Sequence, residues 1–179
     1  MKKLLLITGD LACGKSTFGE ILAKRYNSAA FYKDKIKEIL GDTIGFASRE
    51  DNLRLSQATM EIMTHIFLEA AKVGSDLILE ANFKEGEMER IYAMAKDAGY
   101  DMLTLVMRAD MDIIYKRFMN RIENENRHPV HISGFDGYDS LKHYIDLGRE
   151  QKCFGNILKI DANDFEYQSD FKEIDRFMI

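Results

Sequence analysis

Three groups of residues have the types and spacing to do chemistry. The first is Gly9-Asp10-Leu11-Ala12-Cys13-Gly14-Lys15-Ser16, followed by Thr17, which fits G-x-x-x-x-G-K-[ST]. Glycines at the first and sixth places permit the tight backbone that lets successive amides converge on anionic oxygens at a helix N-terminus. A lysine beside such a nest neutralises terminal phosphates, and the next hydroxyl is a ligand for Mg2+. The plain alternative is a glycine turn followed by a surface lysine. The flanks weigh against it: Lys3 to Ile7 is a short apolar run of buried-strand type, and Phe18, Ile21, Leu22 and Ala23 are spaced for a helix over Thr17 to Tyr26.

The second group is polar residues at the ends of apolar runs. Asp34 follows Ala29 to Tyr32, and Glu80 and Asn82 close the run Asp76 to Phe83. Open α/β sheets bind their ligands at the carboxyl ends of strands. Asp34 there could serve catalysis or cap the next helix, and the two roles are compatible. An acid as close to a buried run as Glu80 is costly unless used, which points to Mg2+ or substrate; a merely polar strand end is the alternative.

The third group is Arg117, Arg121 and Arg127. The first two lie four apart on one side of a helix, and the third precedes Pro129 in a polar segment. Guanidinium forks grip phosphoryl oxygens two at a time, so this stretch, about 117–137, reads as a phosphate-clamping lid. The alternative is a salt-bridged surface, with Glu123 and Glu125 as partners. His128 and His131 lack the additional cysteine or carboxylate spacing of a metal site and read as structural or substrate-facing. Cys13 reads as a small loop side chain, with thiol activation by amide dipoles as the other reading.

These residues need a scaffold, and the chain alternates short apolar strands with longer amphipathic segments, the pattern of parallel βαβ units. A short helix through Ile36, Ile39 and Leu40 gives way to a loop from Gly41 to Ser48. A long helix from about Arg49 to Val73 carries Leu53, Met60, Met63 and Phe67 as its buried stripe. Further helices run from Glu85 to Ala98, through Ile114, Phe118 and Ile122, from Tyr138 to Lys152, and from Tyr167 to Met178. Strands cover Met102 to Met107 and Asn156 to Ile160. At 179 residues, 46% hydrophobic and 31% charged, the chain suits one globular domain over 1–179. A net charge of -5 argues against nucleic acid and anionic membranes as partners. Two cysteines without a framework, and no apolar run long enough for a bilayer, lead to the expectation of a cytoplasmic protein.

On Gly9 to Thr17, Lys33-Asp34, Leu77 to Phe83 and the Arg117/Arg121/Arg127 region, the chain resembles the P-loop small-molecule kinases, near chloramphenicol phosphotransferase, zeta toxins and the kinase domain of polynucleotide kinase. The resemblance implies a three-layer α/β/α P-loop NTPase fold with a five-stranded parallel sheet in the order 2-3-1-4-5 and a small arginine-bearing lid. It implies ATP and Mg2+ as cofactors, the loop from Gly9 to Thr17 on the nucleotide, Asp34 as acceptor of the substrate proton, and Ser16 with Glu80 on the metal. Where that family's third strand ends in Asp-x-Thr or Asp-x-Asn, this chain has Glu80-Ala81-Asn82. Its loop carries Asp10 and Cys13 at variable places.

The expected activity is transfer of the ATP γ-phosphoryl group to a hydroxyl of a small molecule, with Lys15, Asp34, Arg117, Arg121 and Arg127 as catalytic groups. A nucleotide switch without an acceptor and a polynucleotide 5'-hydroxyl kinase are the alternatives. Tyr32, Phe46 and Phe83 are candidates to line the acceptor pocket.

Overall fold

The computed structural model describes residues 2–124, 127–131, 135–166 and 168–178. Five parallel strands, β1 (Lys2–Gly9), β2 (Ala29–Tyr32), β3 (Leu77–Glu80), β4 (Tyr100–Arg108) and β5 (Asn156–Asp161), form one sheet in the order β2-β3-β1-β4-β5. The helices are α1 (Lys15–Tyr26), α2 (Lys33–Ile44), α3 (Arg49–Val73), α4 (Glu85–Asp97), α5 (Met111–Asn124), α6 (Gly137–Glu150) and α7 (Gln168–Met178), with a single 3-10 turn at Pro129–His131. This is the three-layer P-loop NTPase architecture.

The order follows from burial. Leu4, Leu5, Leu6 and Ile7 of β1 are wholly buried, which only a central strand covered on both faces allows. Each such side chain contributes about 1.5–3 kcal/mol on leaving water. Successive residues point to opposite faces, so Leu5 and Ile7 join Phe18, Leu22 and Ile114 in one core. Leu4 and Leu6 join Met63, Phe67 and Ile91 in the other. The sheet's carboxyl edge then presents Gly9, Tyr32, Glu80 and Arg108 together, since Ile7 pairs with Glu80 and Tyr32 with Glu80.

Three expectations are corrected here. Gly41 does not open a loop but lies inside α2, which continues to Ile44. A Cβ at Gly41 would stand 3.4 Å from His128, Phe46 and Val130, so the small residue lets the 128–131 segment lie against the helix. Leu53 and Ile122 fall outside the core, at 58% and 50% exposure. Helix spacing alone does not tell a core stripe from one that faces a cleft. Glu125, Gly134 and Tyr167, the expected first residue of the last helix, lie outside the described residues. Among the described residues, no helix is long and apolar enough to cross a membrane.

Candidate active site

The turn after β1 is held by its surroundings. Gly9 adopts φ +123°, and a Cβ there would sit 2.0 Å from the Met107 carbonyl of the neighbouring strand. Glycine is required twice, by conformation and by space. Gly14 is left-handed and immediately precedes α1, so the loop amides and the helix N-terminus face one point. Lys15 is buried and folds back on the loop, its Nζ donating to the carbonyls of Asp10 at 2.6 Å and Gly9 at 3.3 Å. Cys13 is fully buried in the core, and burial pushes its thiol up to about 11, which disfavours the reactive thiolate.

Asp10 has a partner that no local pattern in the chain reveals. Its carboxylate is almost wholly buried and turns away from the loop's mouth onto Arg149, at the last turn of α6. Arg149 Nε donates to both Asp10 oxygens, at 3.1 and 3.2 Å, and its terminal nitrogen donates to Asp10 and to the Ala109 carbonyl. The Ala109 N–H also donates to Asp10 Oδ2, and the Asp10 N–H to the Met107 carbonyl. The Asp10 hydrogen bond holds Arg149 firmly protonated. One buried ion pair thus fastens the phosphate loop to β4 and to the helix after the lid. The two residues are 139 apart, and no local pattern links them.

A single cavity brings together Leu11 to Thr17 with Asp34, Glu80, Asn82, Arg121 and Arg127. Gly9 and Asp10 face a different, more apolar cleft behind the loop, with Phe83 and Arg149. Ser16 Oγ donates to Glu80 Oε2 at 2.9 Å, which places the two expected metal ligands side by side. Glu80 is buried, and burial raises its pKa, opposed by Lys15 and the Ser16 hydrogen bond. A cation beside these two oxygens would favour the ionised form, so the pair suits Mg2+. Among the described residues no cluster of three or more His, Cys, Asp or Glu side chains could hold a metal alone.

Asp34 lies in the first turn of α2, largely exposed, 3.9 Å from His131 Nδ1. The other ring nitrogen of His131 meets Glu38 at 2.8 Å, and His128 meets Asp42 at 3.0 Å. The Val130 carbonyl accepts from Asn52 at 2.7 Å and from Lys37 at 3.4 Å. The 128–131 segment is therefore latched across α2 and α3, and its histidines meet carboxylates. Arg117 stands apart from Arg121 and Arg127. Its guanidinium donates to the carbonyls of Ala162 and Asn163, at 2.6 and 2.7 Å, and stacks 3.8 Å from the Phe165 ring. Phe165 in turn covers Gly14. Of the aromatic residues expected at an acceptor pocket, Tyr32 is buried beneath α1, Phe46 packs at Gly41, and Phe83 faces the cleft behind the loop. Tyr144 of α6 is the ring that lines the large cleft beyond Asp34, between α2, α3 and α4.

Comparison with known proteins agrees with this fold. A family model described as an AAA domain matches residues 4–138. Among solved structures, a Chloroflexus aurantiacus protein provisionally termed a kinase is 24% identical, with a TM-score of 0.82, over 99% of this chain and 98% of that one. A tunicamycin resistance protein from Deinococcus radiodurans is 15% identical, with a TM-score of 0.63, over 99% and 95% of the two chains. Shikimate kinase from Bacteroides thetaiotaomicron is 17% identical, with a TM-score of 0.53, over 98% and 96%. No curated protein matches the chain.

Two expected outcomes follow from the site's electrostatics. Arg149→Ala strands the Asp10 carboxylate in a buried place and should cost about 3 kcal/mol in urea unfolding. Adding Asp10→Asn should recover most of the loss, and a double variant as unstable as the single one would contradict the pairing. Glu80→Gln should stabilise the ligand-free protein. Unfolded glutamate ionises near 4.5 and the folded residue at higher pH, so the penalty of burying its charge is absent below 4.5 and complete above the folded value. The variant's advantage should therefore be present at pH 8 and vanish at pH 4; equal gains at both would refute the cause.

Proposed function

The chain belongs to the AAA-domain family, and on that premise we propose that it is an ATP-dependent P-loop kinase that phosphorylates a hydroxyl of a small molecule. The observation that carries this is the shared cavity. A phosphate loop, an exposed carboxylate and two arginines from the lid region line one space, which an acceptor-free switch would not need. The full-length likeness in fold to small-molecule kinases points the same way.

In this mechanism the loop amides from Leu11 to Thr17 cradle the phosphates. Lys15 leaves the Asp10 carbonyl, its present partner, for the β- and γ-phosphate oxygens. Ser16 and Glu80 would hold Mg2+, which would supply charge neutralisation to the phosphates. Arg117, stacked on Phe165 beside the loop, flanks the nucleotide rather than the transferring group. Asp34 orients the acceptor hydroxyl and takes its proton as the acceptor oxygen bonds to the γ-phosphorus. The bond from that phosphorus to the bridging oxygen breaks, and ADP departs with the electron pair. Arg121 and Arg127 stabilise the charge spread over the equatorial oxygens. The protein performs no covalent step, so the rate comes from position and charge.

Two substitutions separate the two ends of the site. Lys15→Ala should weaken ATP binding, measured by calorimetry, by at least about ten-fold, given that charge-assisted hydrogen bonds contribute about 1.5–3 kcal/mol; unchanged affinity would reject the loop assignment. Asp34→Asn should keep ATP affinity and lower acceptor-dependent ATP consumption by on the order of 10²-fold. ATP consumption that never responds to any hydroxyl compound would favour a nucleotide switch.

A further inference from the structure

The cleft beyond Asp34 carries a charge imbalance that the nucleotide does not resolve. It has a volume of about 610 Å³, is walled by α2, α3 and α4, and includes no residue of the phosphate loop. Lys33 and Lys37, one helical turn apart on α2, and Lys84, at the start of α4, all line it. Lys37 is buried, and only 14% of the Lys33 side chain is exposed. Burial lowers the pKa of both; Lys84 adds repulsion at Lys33, and Lys33 does so at Lys37.

The carboxylates in the cleft do not balance these three ammonium groups. Glu61 is taken by Arg90 through two hydrogen bonds of 2.6 and 2.9 Å. Glu87 lies 3.9 Å from Lys33 Nζ, and one of its oxygens accepts the Lys84 N–H at 2.8 Å. Lys37 donates to two neutral oxygens, Asn52 Oδ1 and the Val130 carbonyl. Asp34, the remaining acid, lines both the cleft and the phosphate cavity, at their junction. Lys84 is exposed, but Lys33 and Lys37 are largely withdrawn from water, and ammonium groups so placed without full counter-charge are costly, here in a chain whose net charge is -5.

A second observation comes from Asn82, which lines both the cleft and the phosphate cavity. Its Oδ1 is buried without a hydrogen-bond partner among the described residues, so this junction lacks a donor. A hydroxyl next to the reacting one would supply it. Ser56, Gln57 and Thr64 of α3 line the same cleft with neutral polar groups.

We propose, resting on the kinase reading above, that the acceptor is a polyhydroxylated anion whose carboxylate or phosphate monoester sits among Lys33, Lys37 and Lys84. Its anionic end is held by these ammonium groups, a hydroxyl donates to Asn82, and the reacting hydroxyl faces Asp34. The lysines thereby set specificity for charge at the end of the substrate remote from the transfer.

The test uses the full chain with Mg2+ and matched probes: glycerol, glycerate and glycerol phosphate; glucose, gluconate and glucose 6-phosphate. Binding is measured by calorimetry with ADP present, and turnover by ATP consumption. In at least one set a charged member should bind ten-fold or more tightly than the neutral one, and which member does so distinguishes carboxylate from phosphate. Lys33→Gln and Lys84→Gln should each cut that preference about ten-fold while the ADP dissociation constant stays within about two-fold, as expected for the loss of a charge-assisted hydrogen bond. Equal or tighter binding of the neutral members, a preference that survives both substitutions, or no response to any probe would overturn the anionic acceptor. Failure of the unmodified chain to bind ADP would instead overturn the nucleotide reading beneath it.

Discussion

The site depends on how one turn of backbone is held. A phosphate loop binds only if its amides keep aiming at one point without a ligand, and peptide groups have no intrinsic reason to stay so arranged. Here β1 arrives as a fully buried central strand, Gly9 fits against the Met107 carbonyl, and Asp10 is fastened to Arg149. That ion pair is far from solvent on the Asp10 side, which makes it costly to form and more costly to break. It also joins the loop to α6, whose Tyr144 lines the large cleft beyond Asp34. The phosphate loop and that cleft therefore share one support.

The charges around that support are arranged for ligands. Lys15 rests on loop carbonyls, Glu80 is buried beside a hydroxyl that only partly compensates it, and Lys33, Lys37 and Lys84 of the cleft outnumber Asp34 and Glu87, the carboxylates there that Arg90 does not take. Each arrangement destabilises the empty fold slightly and favours a bound ion of the opposite sign. Such local cost is the usual companion of binding and catalysis.

Much of this was legible in the chain. The phosphate loop announced itself because its chemistry needs particular residues at fixed short spacing. β2 and α3 occupy the predicted spans, because an apolar run and a capped amphipathic run are local signals. Asp34, Glu80, Arg121 and Arg127 do meet in one cavity, as their positions at strand ends and in the lid region implied. Arg117 looked like its neighbour four residues on, yet it is spent on the carbonyls of the β5–α7 connection. Equal spacing on a helix does not fix what each residue meets. Leu53 and Ile122 misled for the same reason, since a stripe can face a cleft, as at Leu53, or solvent, as at Ile122, as well as a core.

The sequence by itself determined the elements, their parallel arrangement and the phosphate chemistry, because propensity, periodicity and a short motif act over a few residues. Only the tertiary structure decided the partner of Asp10, the divergence of Arg117 from the lid arginines, the latch of the 128–131 segment across α2, and the lysine cluster opposite Asn82. Each of these joins groups distant in the chain, and their pairing is set by burial and charge in three dimensions. Gly9-Asp10 shows the division within two residues. The glycine's need is written in its own backbone, and the aspartate's meaning lies 139 residues away in Arg149.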